Sequence, residues 1–208
     1  VVAEQLQLPP GYSISWSGQY EYMERAKQRL GYVVPLTLAI IVVLLYINFR
    51  TATPVVILML SLPLALVGSV WLMYLLNYNF SIAVGVGLIA MAGVAVETGV
   101  IMLVYLDQAW NRLLANHAED HERLDAEQLQ HAILEGASLR VRPVLMTASA
   151  TILGLLPILF ADGTGAEIMS RLAAPMVGGM ISAVLLTLLV LPVIYLLWKK
   201  QSLRNGNS

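Results

Sequence analysis

One residue stands where an ionisable group is costly. Glu97 lies in the run Gly93-Val-Ala-Val-Glu97-Thr-Gly99, inside a long apolar segment. An ionised carboxylate near the centre of a bilayer costs at least about 2.5 kcal/mol. Low dielectric favours the protonated form, and a carboxyl that gains and loses a proton there can carry it across. Ionisable groups within a span are working groups by default, so Glu97 is read as a proton-relay residue. The other reading is a structural carboxyl, satisfied by a neighbouring helix or a cation. Thr98, Thr147, Ser149 and Thr151 can supply hydrogen bonds from within the chain. No Lys or Arg stands mid-span, so an ionic partner is expected from outside these residues.

The chain has no Cys, which removes disulfides, thiolate metal sites and a Cys nucleophile. Soft-metal chemistry falls to its nine Met and three His. A thioether is uncharged and soft, and it suits Cu(I) and Ag(I) rather than Zn(II). Met146, Met169, Met176 and Met180 are the candidates, although Met also fills irregular apolar space. Met169 stands apart at the outer end of the last apolar run, beside Glu167, Ser170 and Arg171, where an ion would enter. Glu167 and Arg171 are one helical turn apart and read as an anchoring pair. His117 and His121 have a spacing that can bind a metal on a helix, but they sit in a charged run that reads as solvated. No nucleophile–base pair is found, so an enzyme is not expected.

These residues need elements to hold them, and composition says which. Of 208 residues, 58% are hydrophobic and 12% charged, against about 45–50% and about 25% in soluble domains. That excludes an ordinary soluble globule and a disordered chain. The net charge of -1 adds no field for nucleic acid. No charged residue stands between Arg50 and Glu97, and none within 143–161 or 172–198. A span needs about 20 apolar residues. The pattern predicts an all-α polytopic membrane protein with five spans, at about 32–49, 55–76, 82–106, 141–160 and 168–198. Residues 1–30 read as the strand (12–18) and polar helix (19–30) that end a periplasmic domain. Residues 107–139 read as a cytoplasmic linker and 199–208 as a cytoplasmic tail. Within the linker Trp110, Leu113, Leu114, Leu129, Ala132 and Ile133 recur at helical spacing, as in a helix on the membrane surface. The chain opens on Val with no charged n-region before a short apolar core, so no signal peptide is expected there and the chain reads as part of a longer one.

Orientation follows from the basic residues. Arg50, Arg112, Arg123, Arg140, Arg142, Lys199, Lys200 and Arg204 fall on one side, and Arg25, Lys27, Arg29 and Arg171 on the other. The side with eight is assigned to the cytoplasm. Gly85, Gly87, Gly93 and Gly99 crowd the third span, which predicts close helix packing there. Pro63, Pro157, Pro175 and Pro192 stand inside spans, where each removes a backbone donor.

The run Leu139-Arg-Val-Arg-Pro-Val-Leu-Met-Thr147, then Gly154-Leu-Leu-Pro157, then Gly163-Thr-Gly-Ala-Glu-Ile-Met-Ser-Arg-Leu-Ala-Ala-Pro-Met-Val-Gly-Gly179 resembles the heavy-metal branch of the resistance-nodulation-division (RND) efflux pumps. The resemblance covers essentially the whole chain. Trp16-Ser-Gly-Gln-Tyr-Glu-Tyr22 resembles the end of the family's second periplasmic loop, and the five spans correspond to the last five of its twelve. Around Glu97, and at Glu-Ile-Met169-Ser-Arg, the chain is similar to the copper/silver type. This similarity implies a proton-relay role for Glu97 and a metal-relay thioether at Met169. Copper/silver members carry Lys directly after the Pro of the Arg-Pro motif, where this chain has Val144, as divalent-cation pumps do. The family implies a proton/cation antiporter in the bacterial inner membrane, a homotrimer joined to a periplasmic adaptor and an outer-membrane channel. It implies no resident cofactor: Cu(I) or Ag(I) is cargo and the proton is the coupling ion. Two other readings stand, a divalent-cation (Co/Zn/Cd) exporter of the same architecture and a non-pumping membrane scaffold or secretion subunit.

Overall fold

The computed structural model describes residues 19–120, 126–163 and 165–205. Among them every regular element is helical: α1 (Gln19–Phe49), α2 (Ala52–Leu75), α3 (Ile82–Asp120), α4 (Ala126–Leu159), α5 (Ala166–Leu185), a π-helical stretch (Leu186–Val190) and α6 (Leu191–Asn205). Five helical stretches are long and apolar enough to cross a bilayer: Glu24–Phe49, Ala52–Leu75, Ile82–Ala115, Glu127–Leu159 and Ala166–Gln201. The expected strand at 12–18 lies outside the described residues. The polar helix expected at 19–30 forms the opening turns of α1, whose Glu21 and Arg25 pair one turn apart.

The chain divides into two units, residues 1–43 and 44–208. The described part of the first is helix alone, and Thr37 Oγ1 donates back to the Val33 and Val34 carbonyls at 3.0 and 2.9 Å. The second unit is a bundle in which α5 packs against α2, α3 and α4. Its core is small and apolar: Leu62 and Ala65 of α2, Met91 and Ala95 of α3, Ala148 of α4, and Met180 and Ala183 of α5. Lipid offers helices no hydrophobic drive to associate, so close van der Waals approach and interhelical hydrogen bonds must do it.

The α2–α5 contact shows both. A Cβ added at Gly68 or at Gly178 would collide with the other residue's carbonyl oxygen. Ser69 Oγ donates to the Pro175 carbonyl at 2.6 Å, and the Gly68 amide donates to Ser182 Oγ at 3.2 Å. Ser182 Oγ in turn donates toward the Ala65 and Gly179 carbonyls. On α3, Gly87 lies against Leu172 and Pro175, and Gly99 against Leu58. Gly93 has open space, and Gly85 has Phe80 only at 3.9 Å. Close packing thus holds for two of the four glycines expected to provide it.

α3 runs well past residue 106, and α4 begins well before 141. The region 107–139 is therefore largely a continuation of two spans. Trp110, Leu129 and Ile133 are buried in protein rather than laid on a membrane surface. The reason is local: Gly136 meets Ala109, where an added Cβ would come within 2.8 Å of the alanine methyl, so the two extensions close on each other.

The π-helical stretch has an identifiable cause. Pro192 cannot donate to the Leu188 carbonyl, and its ring crowds that carbonyl. The ladder widens over Leu186–Val190, the usual form of such an insertion in a helix. α5 and α6 remain one continuous crossing.

Candidate functional site

Glu97 lines a cleft of about 350 Å³ between α3, α4 and α5. Val94, Thr98 and Ile101 of α3 share its face by helical spacing, as do Arg140, Pro143, Val144, Thr147 and Thr151 of α4. Met180, Ala183 and Val184 of α5 close it. Within this unit Glu97 is exposed, and its carboxyl has no hydrogen-bond or ion-pair partner among the described residues. The expectation of a carboxyl held by its neighbours' hydroxyls is not met here.

The hydroxyls explain why. Thr98 Oγ1 donates to the Val94 carbonyl at 2.5 Å. Thr147 Oγ1 donates to the Pro143 and Val144 carbonyls, both at 3.1 Å, and Thr151 Oγ1 to the Thr147 carbonyl at 2.9 Å. A threonine has one proton to give, and each is already given to its own helix. The lone pairs remain, so these groups accept. They suit a protonated carboxyl or a water and do little for an ionised one. Ser149 does not line the cleft.

Arg140 lines the same cleft. Its guanidinium lies over the Tyr105 ring, 5.0 Å from the centroid, and its Nε is buried without a hydrogen-bond partner. Arg140 thus lines the cleft that Glu97 lines, while its guanidinium is held on the Tyr105 ring. Reasoning from sequence placed Arg140 at the cytoplasmic border with Arg142 and missed this. A long aliphatic stem can carry an arginine head well away from its Cα, and no linear spacing records that reach. Val144, directly after the Pro of the Arg-Pro motif, is buried in the cleft wall.

The thioethers separate. Met180 is in the cleft. Met146 is exposed, and Met176 is outside the cleft. Met169 is 55% exposed in the first turn of α5. Eleven residues separate it from Met180, about 16 Å along a helix at 1.5 Å per residue, so Met169 is not brought to Glu97. Beside it Arg171 pairs with Glu167 at 2.5 Å and lies 5.8 Å from the centroid of Tyr78, as expected of an anchor. The His117 side chain and His121 lie outside the described residues. Among the described residues no three His, Cys, Asp or Glu group to hold a metal.

A second polar cluster was not anticipated. Tyr195, 1% exposed on α6, donates its hydroxyl to Asp107 Oδ1 of α3 at 3.0 Å. Lys199 Nζ is 4.0 Å from the same oxygen and sits 4.6, 4.9 and 5.5 Å from the ring centroids of Trp198, Trp110 and Tyr195. Cation, rings and carboxylate fasten the end of α6 to α3. Hydrogen bonds to charged groups contribute about 2 kcal/mol. Tyr195→Phe in the full-length protein is expected to lower the melting temperature, while Lys199→Arg, which keeps the cation over the rings, lowers it less. An unshifted Tyr195→Phe melt would show that the bond contributes nothing.

The AcrB/AcrD/AcrF family matches residues 1–199. The cation efflux system protein CusA of Escherichia coli K12 is 47% identical over 198 residues, covering 95% of this chain and 19% of that protein. The nickel-cobalt-cadmium resistance protein NccA of Alcaligenes xylosoxydans is 40% identical over 193 residues, covering 93% and 17%. A crystal structure of a heavy metal efflux pump superposes with a TM-score of 0.73 at 32% identity, over 96% of this chain and 18% of that one. The chain therefore spans about a fifth of the length of the proteins it matches.

Proposed function

This chain belongs to the AcrB/AcrD/AcrF family, in its heavy-metal resistance-nodulation-division branch, and from that premise we propose that it is the C-terminal membrane section of a proton-driven pump exporting Cu(I) and Ag(I). The observation that carries the reading is the shared cleft: Glu97 in mid-span lines it together with Arg140 and with hydroxyls that can only accept. Protonated, Glu97 is neutral and donates to an acceptor. Deprotonated, it becomes the counter-charge that Arg140 lacks. The alternation of those two states is what a proton relay requires, and it gives α3 and α4 a reason to shift against each other.

The choice of metal rests on the motifs. The residues around Glu97 and Met169 resemble the copper/silver type, and identity to CusA exceeds identity to NccA. Val144 favours the second reading, a divalent-cation exporter of the same architecture. A metal panel on a strain lacking the full-length gene separates them. Sensitivity to copper and silver supports the first, and sensitivity to zinc and cobalt alone supports the second. Met169 serves as a relay thioether near the outer mouth, where its exposure leaves the sulfur accessible to an ion. Met169→Ile in the full-length pump is expected to reduce Cu(I) flux in proteoliposomes about tenfold, the loss of roughly 1.4 kcal/mol of ion binding. Unchanged flux would return Met169 to a packing role.

In this reading the metal is cargo, no cofactor resides in the chain and the proton is the coupling ion. The assembly is a homotrimer in the bacterial inner membrane, with a periplasmic adaptor and an outer-membrane channel as partners. The basic end of the bundle faces the cytoplasm.

A further inference from the structure

Where α3 and α4 leave the hydrocarbon, a second cavity of about 230 Å³ opens between them. We propose that this cavity binds the headgroup of an amine-bearing phospholipid, of the phosphatidylethanolamine type, from the leaflet at the basic end of the bundle.

Three observations carry this. First, the cavity is bipolar in charge. Arg112 of α3 and Glu135 of α4 both line it, both are exposed, and neither is ion-paired with the other or with any described residue. Opposite charges facing one small cavity without meeting are the complement of a zwitterion, whose phosphate takes the arginine and whose ammonium takes the carboxylate. Second, the cavity is amphipathic: Leu113, Ala132 and Leu139 line it beside Tyr105, Arg112 and Glu135. Tyr105 and Arg112 are seven residues apart, about 10 Å along the helix, which spans a headgroup and the start of its acyl region. Third, the floor is fixed. Gly136 against Ala109 closes the two helices on each other, and Arg140 on the Tyr105 ring holds the inner wall. Basic pockets between helices at this depth are where headgroups bind. The acid in this one selects a lipid that carries an amine.

The test is native mass spectrometry of the purified full-length pump, titrated with phosphatidylethanolamine, phosphatidylcholine, phosphatidylglycerol and acyl-free glycerophosphoethanolamine. Phosphatidylethanolamine is expected to bind about tenfold more tightly than the other three, the value of one charge-assisted bond. The quaternary amine of phosphatidylcholine cannot donate to Glu135, and phosphatidylglycerol has no cation. Arg112→Ala should weaken binding of all three lipids through their phosphates, whereas Glu135→Gln should remove only the preference for the amine. Arg50→Ala, outside the cavity, should leave all four affinities as they are. Equal binding of all the lipids, equal binding of the acyl-free headgroup, or a preference that survives Glu135→Gln would each overturn the assignment. The readout is lipid occupancy, so its failure leaves the transport reading untouched, and failure of the transport reading leaves this one standing.

Discussion

Glu97→Gln in the full-length pump is expected to reduce metal export to that of a strain lacking the pump, with expression and membrane insertion intact. Glutamine keeps the size of the side chain, its carbonyl acceptor and an N–H donor. It loses only the ability to change charge. A structural carboxyl hydrogen-bonded in its protonated form would be replaced by glutamine at little cost. A relay that passes through this carboxyl would be stopped, because glutamine exchanges no proton, and the other acidic residues of this chain fall in segments read as aqueous or interfacial. The cleft sharpens the contrast. Thr98, Thr147 and Thr151 have given their protons to backbone carbonyls, so an amide can still donate to them as the neutral acid does. What glutamine cannot supply is a negative charge in the cleft that Arg140 also lines. Glu97→Asp should retain part of the activity, since it keeps the titrating group on a stem one methylene shorter. Resistance and proteoliposome flux measured on the three forms decide the matter. Full export by Glu97→Gln would end the relay reading, while loss in both variants with a lowered melting temperature would make Glu97 structural.

Much of this site was legible before any coordinates. Charge-free runs mark the spans, because each buried charge in lipid costs kilocalories, and the same cost singles out Glu97. The helix period places Thr147 and Thr151 on one face with Val144. That Arg140 shares the cleft with Glu97 was not legible. Arg140 lies in the linear string next to Arg142 and Pro143, where it reads as an interfacial anchor, and only the packing of α3 on α4 turns it into the cleft. The ends of α3 and α4 were underestimated for a related reason. Polar composition in 107–139 signals an exit from lipid, and it does not signal an end to the helix. Trp110, Leu129 and Ile133 carry a helical stripe, but periodicity alone cannot tell whether that stripe meets membrane or protein. The cluster of Asp107, Tyr195 and Lys199 joins residues 88 and 92 positions apart, beyond the reach of any local pattern.

The largest structural effect is expected at a glycine outside the third span. Gly178→Ala should lower the stability of the full-length pump by about 3 kcal/mol, the upper end of ordinary overpacking, while Gly99→Ala should cost less than about 1 kcal/mol. The added Cβ is the same in both, and what it meets decides. At Gly178 it meets the Gly68 carbonyl oxygen and, at 2.6 Å, the Leu72 Cβ. Neither can rotate away, so α2 and α5 must separate. That separation stretches the Ser69–Pro175 and Gly68–Ser182 hydrogen bonds across the same contact, and in lipid no water replaces them. At Gly99 the Cβ meets Leu58 Cδ2 at 2.8 Å, the end of a side chain that can change rotamer for about 1 kcal/mol. The helix recovers about as much from the loss of a glycine. Thermal unfolding in detergent measures both. The consequence extends to transport, because α5 carries Met180 and Val184 into the cleft wall, and displacing α5 changes the space that Glu97 and Arg140 share. Gly178→Ala should therefore impair export in whatever fraction folds, whereas Gly99→Ala should not. Equal melting temperatures for the two variants would mean that the close approach of α2 and α5 does not hold the bundle.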